Sequence, residues 1–146
     1  MLFRSNAILC YIAAKHNSPL LPKDAKGRGE VDQWLFWQTA HLAQATGKIA
    51  WERIYKGFMN LGAPDQARVE EGLGELARFL GVLDGVLAKS EYVCGKNVTV
   101  ADYAICGTLS KATRDRLQIE PEVLKHANVK RWLGVVESRP AWQHAQ

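Results

Sequence analysis

From Asp65 to Lys89 the chain places an apolar residue every third or fourth position. Val69, Leu73, Leu76, Leu80, Leu83 and Leu87 are spaced 4, 3, 4, 3 and 4, which is one continuous face of an α-helix. A stripe this long needs other helices to cover it. Gly72, Gly74, Gly81 and Gly85 lie between the leucines. Each costs a helix interior about 1 kcal/mol relative to alanine, whereas a fully buried leucine returns about 1.5–3 kcal/mol. The glycines therefore predict close approach by a neighbouring helix. They do not form a nucleotide-binding loop, because no strand precedes them and no G-x-G-x-x-G occurs.

The same period runs through the remaining sequence. Ser5 is a candidate cap for a helix over residues 6–15, which Asn17-Ser18-Pro19 ends. A second helix is predicted from about Arg28 to Lys56. It carries an apolar stripe of Val31, Leu35, Leu42 and Ile49, and a different, polar-aromatic one of Trp37, His41, Gln44, Lys48 and Trp51. A fourth helix is expected from Thr99 to about Arg116. After the Pro121 loop, Asn128 is a candidate cap for a helix carrying Val129, Trp132, Leu133 and Val136, which stops before Pro140. No alternating strand pattern and no internal repeat occurs. The expected class is all-α, a bundle of about five or six helices.

Composition narrows the function classes. The 146 residues fit one domain with a real core. The net charge of +4 comes from 19 basic and 15 acidic residues that are interspersed, unlike the one-sided basic face of a nucleic-acid binder. Cys10, Cys94 and Cys106 form no metal or redox spacing, and an odd number argues against a disulfide framework. They read as free thiols in a reducing cytoplasm. Met1-Leu2-Phe3-Arg4 ahead of AILCYIAA imitates a secretion signal, but the run is short and Ser5-Asn6 interrupt its approach. No run reaches membrane-spanning length. No metal site is expected.

Thr99 and Asp102 sit inside the apolar segment VCGKNVTVADYAICG. Their spacing is that of a capping box, with the Asp102 carboxylate reaching back to the Thr99 N–H. Val98 and Tyr103 occupy the flanking positions of a hydrophobic staple. The carboxylate is accordingly read as structural, and no catalytic residue is assigned. Cys10, mid-helix on an apolar run, has no device to lower its pKa. His41 has no identifiable partner to orient it as a base.

The string GKNVTVADY, Gly95 to Tyr103, resembles the capping-box segment of the C-terminal domain of glutathione S-transferases. Ser5 to Ala13 resembles the last helix of that family's thioredoxin-like domain. Leu20-Leu21-Pro22 with Val31-Asp32-Gln33-Trp34 resembles the linker and first helix of the C-terminal domain, and Asn128 to Trp132 with Ser138 to Ala141 resembles its final helices. The resemblance implies residues 1–16 as the last thioredoxin-like helix, 17–27 as linker and 28–146 as the helical domain. Most of the thioredoxin-like domain would then be absent, together with the residue that activates the glutathione thiol.

Several functional expectations follow from the resemblance. Glutathione is the implied co-substrate, an electrophile the acceptor, and a homodimer or other self-association the expected assembly. Ser5 matches one residue of the γ-glutamyl site, whereas Arg4 stands where the family usually has Glu or Gln. Trp37, His41 and Gln44 are candidates for the acceptor pocket, or equally for an interhelical or dimer contact. The expected function is a glutathione S-transferase-like chain, inactive alone. The alternative is a non-catalytic helical interaction module, as in elongation-factor and aminoacyl-tRNA synthetase assemblies.

Overall fold

A computed structural model describes residues 4–144. Met1 to Phe3 of the signal-like run, and the outer ends of the expected first and last segments, lie outside them. The described residues form eight helical segments and no strand. Helix α1 is Ser5–Lys15. Helix α2 is one rod over residues 25–58, α-helical in Ala25–Trp37 and Ala43–Ala50, widened to π-helix in Gln38–Leu42 and Trp51–Tyr55, and closed by Lys56–Phe58. Helix α3 is Gln66–Leu87, α4 Val100–Thr108, α5 Lys111–Leu117, α6 Glu120–Leu124, α7 Ala127–Glu137 and α8 Pro140–Gln143.

The two long apolar stripes meet in the core. Val31, Leu35, Leu42 and Ile49 of α2 are buried, as are Val69, Leu76, Leu80, Leu83 and Leu87 of α3. Gly72 is where the rods come closest: a Cβ there would lie 2.9 Å from Ile49 Cγ1 and 3.3 Å from Ala45 O. Gly74, Gly81 and Gly85 face open space, so close approach accounts for one of the four glycines. Behind these rods, Ile105 and Cys106 of α4 and Trp132, Leu133 and Val136 of α7 complete the core.

Four local expectations are corrected. Asp24, not a residue near Arg28, starts α2, its Oδ1 accepting from Gly27 N at 2.8 Å. Ser5 is the first residue of α1 rather than its cap, and Arg4 at the cap position makes no side-chain capping bond. The helix expected to reach Arg116 breaks after Thr108, because Ser110 caps a new helix by accepting from Thr113 N at 3.3 Å. Asn128 lies inside α7 and caps nothing. Asp84 of α3 does so from 44 residues upstream: its Oδ1 accepts from Asn128 N at 2.8 Å and Val129 N at 3.1 Å, and its Oδ2 from Asn128 Nδ2 at 3.0 Å. Burial pushes the Asp84 carboxyl up, but these three hydrogen bonds outweigh it and hold the group below its ordinary value.

Carboxylates from other parts of the chain also serve the starts of α5 and α3. Glu137 Oε1 accepts from Lys111 N at 3.1 Å, and its carboxylate pairs with the buried Arg114 at 2.9 and 3.2 Å. Glu52, buried on α2, accepts from Asp65 N at 2.8 Å and pairs with Lys56 at 2.6 Å. Those two bonds, Lys56 first, keep its carboxyl below the ordinary value.

Candidate functional site

The buried carboxylate in the sequence's most apolar segment is fully engaged. Asp102 is 0% exposed. Its Oδ2 accepts from Thr99 N at 2.8 Å and Thr99 Oγ1 at 3.0 Å, and its Oδ1 from Val93 N at 3.0 Å and Trp132 Nε1 at 2.9 Å. Four donors, drawn from the turn before α4, its cap residue Thr99 and α7, leave no lone pair for a substrate or metal. Val98 and Tyr103 are half-buried against the core. The Tyr103 ring stacks 6.2 Å from Trp142, and its hydroxyl accepts from Arg139 Nε at 3.0 Å. Among the described residues no three metal-ligating side chains gather, and no helix is long and apolar enough to cross a membrane.

The polar-aromatic stripe of α2 divides. Trp37 and His41 turn toward α3, where the His41 ring stacks 5.0 Å from Phe79 and Trp37 meets it edge-on at 6.2 Å. Gln44 lies farther along, in an open groove of about 410 Å³ with Lys48, Trp51, Glu52 and Arg68. Lys48 is clamped there by Glu71 and Glu75, each at 2.7 Å.

The start of α1 packs against α2. Asn6 Nδ2, one residue after Ser5, donates to Leu35 O at 3.3 Å and Gln38 Oε1 at 3.0 Å. Gln38 Nε2 donates to Thr108 Oγ1 at 2.7 Å. Thr108 in turn lines a second groove of about 320 Å³. One side of this groove is α2, through Ala43, Thr46, Gly47, Ala50, Ile54 and Tyr55. The other is the α4–α5 corner, through Thr108, Thr113, Arg116 and Leu117. The relay Asn6–Gln38–Thr108 thus joins the first turn of α1 to the groove, and both the relay residue Gln38 and the groove residue Tyr55 stand in the π-helical stretches of α2. Little in the residues marks this face, since Ala43, Gly47 and Ala50 read as helix filler. Their spacing of 4 and 3 was the available signal.

None of the thiols is primed as a nucleophile. Burial, chiefly, raises Cys10, pushes Cys94 up to about 11 and raises Cys106 further still. The Ser5 hydroxyl is on an exposed residue and makes no hydrogen bond among the described residues.

A family model for the glutathione S-transferase C-terminal domain matches residues 35–140. Glutathione S-transferase 3 of Zea mays is 32% identical over 148 residues, covering 98% of this chain and 64% of the maize protein. Disulfide-bond oxidoreductase YfcG of Escherichia coli is 31% identical over 142 residues, covering 96% of this chain and 60% of the bacterial protein. Among solved structures, a glutathione transferase family member from Pseudomonas fluorescens with two glutathione bound superposes with a TM-score of 0.86 at 30% identity, covering 98% of this chain and 62% of that one. The chain spans less than two thirds of the length of each of these three.

Proposed function

The chain belongs to the glutathione S-transferase family, and from that premise we propose that it carries the acceptor side of a glutathione-conjugating site which it cannot complete alone. The observation that supports this reading is the Asn6–Gln38–Thr108 relay, which links the residue after Ser5 to the groove between α2 and the α4–α5 corner. In the proposed site the helix end at Ser5 receives the γ-glutamyl carboxylate of glutathione, and the groove holds the electrophile. Conjugation requires the glutathione thiol as thiolate, held against that electrophile. Neither the raised cysteines nor the unpartnered Ser5 hydroxyl supplies a base for it. Another segment or chain must do so.

Magnitudes support incompleteness. One charge-assisted hydrogen bond contributes about 1.5–3 kcal/mol, while millimolar affinity already needs about 4 kcal/mol. Glutathione should therefore bind the 146-residue chain more weakly than millimolar. Calorimetry with glutathione and a conjugation assay with a generic aromatic electrophile check this. Saturable turnover by the chain alone, lost in Ser5→Ala, would overturn it.

Trp37 and His41, packed against Phe79, are assigned in this reading to helix packing rather than to the acceptor groove. A self-associating or adaptor role draws support from exposed apolar side chains, Ile8, Tyr11 and Ile12 on α1 and Phe58, 83% exposed, at the end of α2. Surface of this kind favours association. Sedimentation across micromolar concentrations should show a dimer or larger species, and a clean monomer would remove that role.

A further inference from the structure

Resting on the acceptor-groove reading, we propose that this groove selects electrophiles bearing an anionic group, a carboxylate on an aromatic ring being the simplest, and that Arg116 is the residue that holds the anion.

Three arginines gather at the α5 corner, and two are spent. Arg114 is buried and held by the Glu137 carboxylate at 2.9 and 3.2 Å. Arg53 of α2 donates to the carbonyls of Leu117 and Gln118 at the end of α5. Arg116 is exposed, lines the groove, and makes no ion pair or hydrogen bond among the described residues. It is also the one charged side chain in the lining, with no carboxylate to offset it. A guanidinium in that state presents a fork of donors matched to a carboxylate.

The other lining groups leave it that task. The Thr46 hydroxyl donates to Leu42 O at 3.1 Å and that of Thr108 to Ala104 O at 3.2 Å. Thr113 Oγ1 is 2.9 Å from Ser110 Oγ. These hydroxyls are engaged at home, which leaves the Tyr55 hydroxyl and Arg116 as donors to a ligand. The floor is flat: Ala43, Gly47 and Ala50 carry nothing beyond Cβ, and a Cβ added at Gly47 would meet no atom within 4 Å. Ile54 and Leu117 supply apolar walls. A planar ring lies on such a floor, and its anionic substituent reaches the guanidinium.

The test titrates the whole chain with 3,5-dinitrobenzoate and with uncharged 3,5-dinitrobenzamide, following the backbone amides of Ala50 and Thr108 by NMR. The benzoate should bind about tenfold more tightly, the scale of a charge-assisted hydrogen bond. Arg116→Gln should erase that preference without changing the affinity for the amide, and Arg116→Lys should restore part of it. Arg116 is exposed, so neither variant threatens the fold. Equal binding of the two probes, or a preference that survives Arg116→Gln, would overturn the assignment while leaving the acceptor groove standing. Displacement of the benzoate by glutathione would also overturn it, by giving the guanidinium to a glutathione carboxylate. If neither probe moves the groove amides, the acceptor-groove reading fails and this inference with it.

Discussion

The two ends of α4 are built on opposite plans. Its start is closed: Asp102 takes four donors, lies out of contact with solvent, and ties the turn at Val93 to Trp132 of α7. Its end is open: Thr108 accepts from Gln38, donates to Ala104 O, and still borders a groove whose same wall carries the Arg116 guanidinium, unpaired among the described residues. Both ends hold polar residues in an apolar setting. A buried polar group matched donor for acceptor has no capacity left for a ligand, so its work is structural. An unmatched charge beside such a group, as Arg116 is beside Thr108, keeps that capacity, and the proposed ligand site lies there.

Breaking the closed end should produce the largest effect. Asp102→Ala strands Val93 N, Thr99 N and Trp132 Nε1 in the core. Each unpaired buried donor costs about 1–3 kcal/mol, and the combined loss should be about 3 kcal/mol or more, read as a fall in the denaturant midpoint. A loss below about 1 kcal/mol would mean that the network does not hold the helix start.

A smaller effect is expected at Asp84, which serves α7 beside the closed end. Asp84→Ala should cost about 0.5–2 kcal/mol at neutral pH, as lost caps do. Its folded pKa lies below the ordinary 3.8. Its contribution is therefore present above about pH 4 and lost as pH falls through the folded value. Denaturation at a series of pH values should show the gap between wild type and Asp84→Ala closing in acid. Curves that stay parallel down to pH 2 would show that the ionised cap is not responsible.

The open end should tolerate change best. Thr108→Val removes its bonds to Gln38 and Ala104 O and should cost about 0.5–1.5 kcal/mol, near the bottom of that range for a half-buried site. The side-chain amides of Asn6 and Gln38 should shift in the NMR spectrum as the relay loses its end. A stability loss as large as that of Asp102→Ala would erase the contrast between the two ends.

How far the sequence could be read depends on how local each interaction is. The α3 stripe and the 3-residue spacing of Thr99 and Asp102 are local patterns, and both show in the residues themselves. The other partners of Asp102 are not. Trp132 lies 30 residues away, and nothing near Asp102 announces it. The same limit misplaced a cap: Asn128 has the right chemistry, but a carboxylate 44 residues upstream takes the position. On α2 the stripe of Trp37, His41 and Gln44 was legible as a stripe, but not which neighbour it would meet. The two π-helical stretches change the phase of the rod, and the aromatic members end against Phe79. Arg116 is one of many interspersed charges, and nothing beside it in the sequence marks it off from solvated surface. Only the packing of Arg114 and Arg53 shows that it is left over.

Borrowed caps have a consequence for how the chain comes together. The starts of α7, α5 and α3 are served by Asp84, Glu137 and Glu52, each from another helix. Ser110 and Asp65 cap α5 and α3 locally, but Lys111 N, Asp65 N and the first N–H groups of α7 find these acceptors only once the helices have docked. Short helices are marginal in water by themselves, and a missing acceptor at the first turn weakens them further. Docking and helix-end satisfaction are therefore coupled: removing one of these acceptor helices leaves backbone donors unpaired at the start of another.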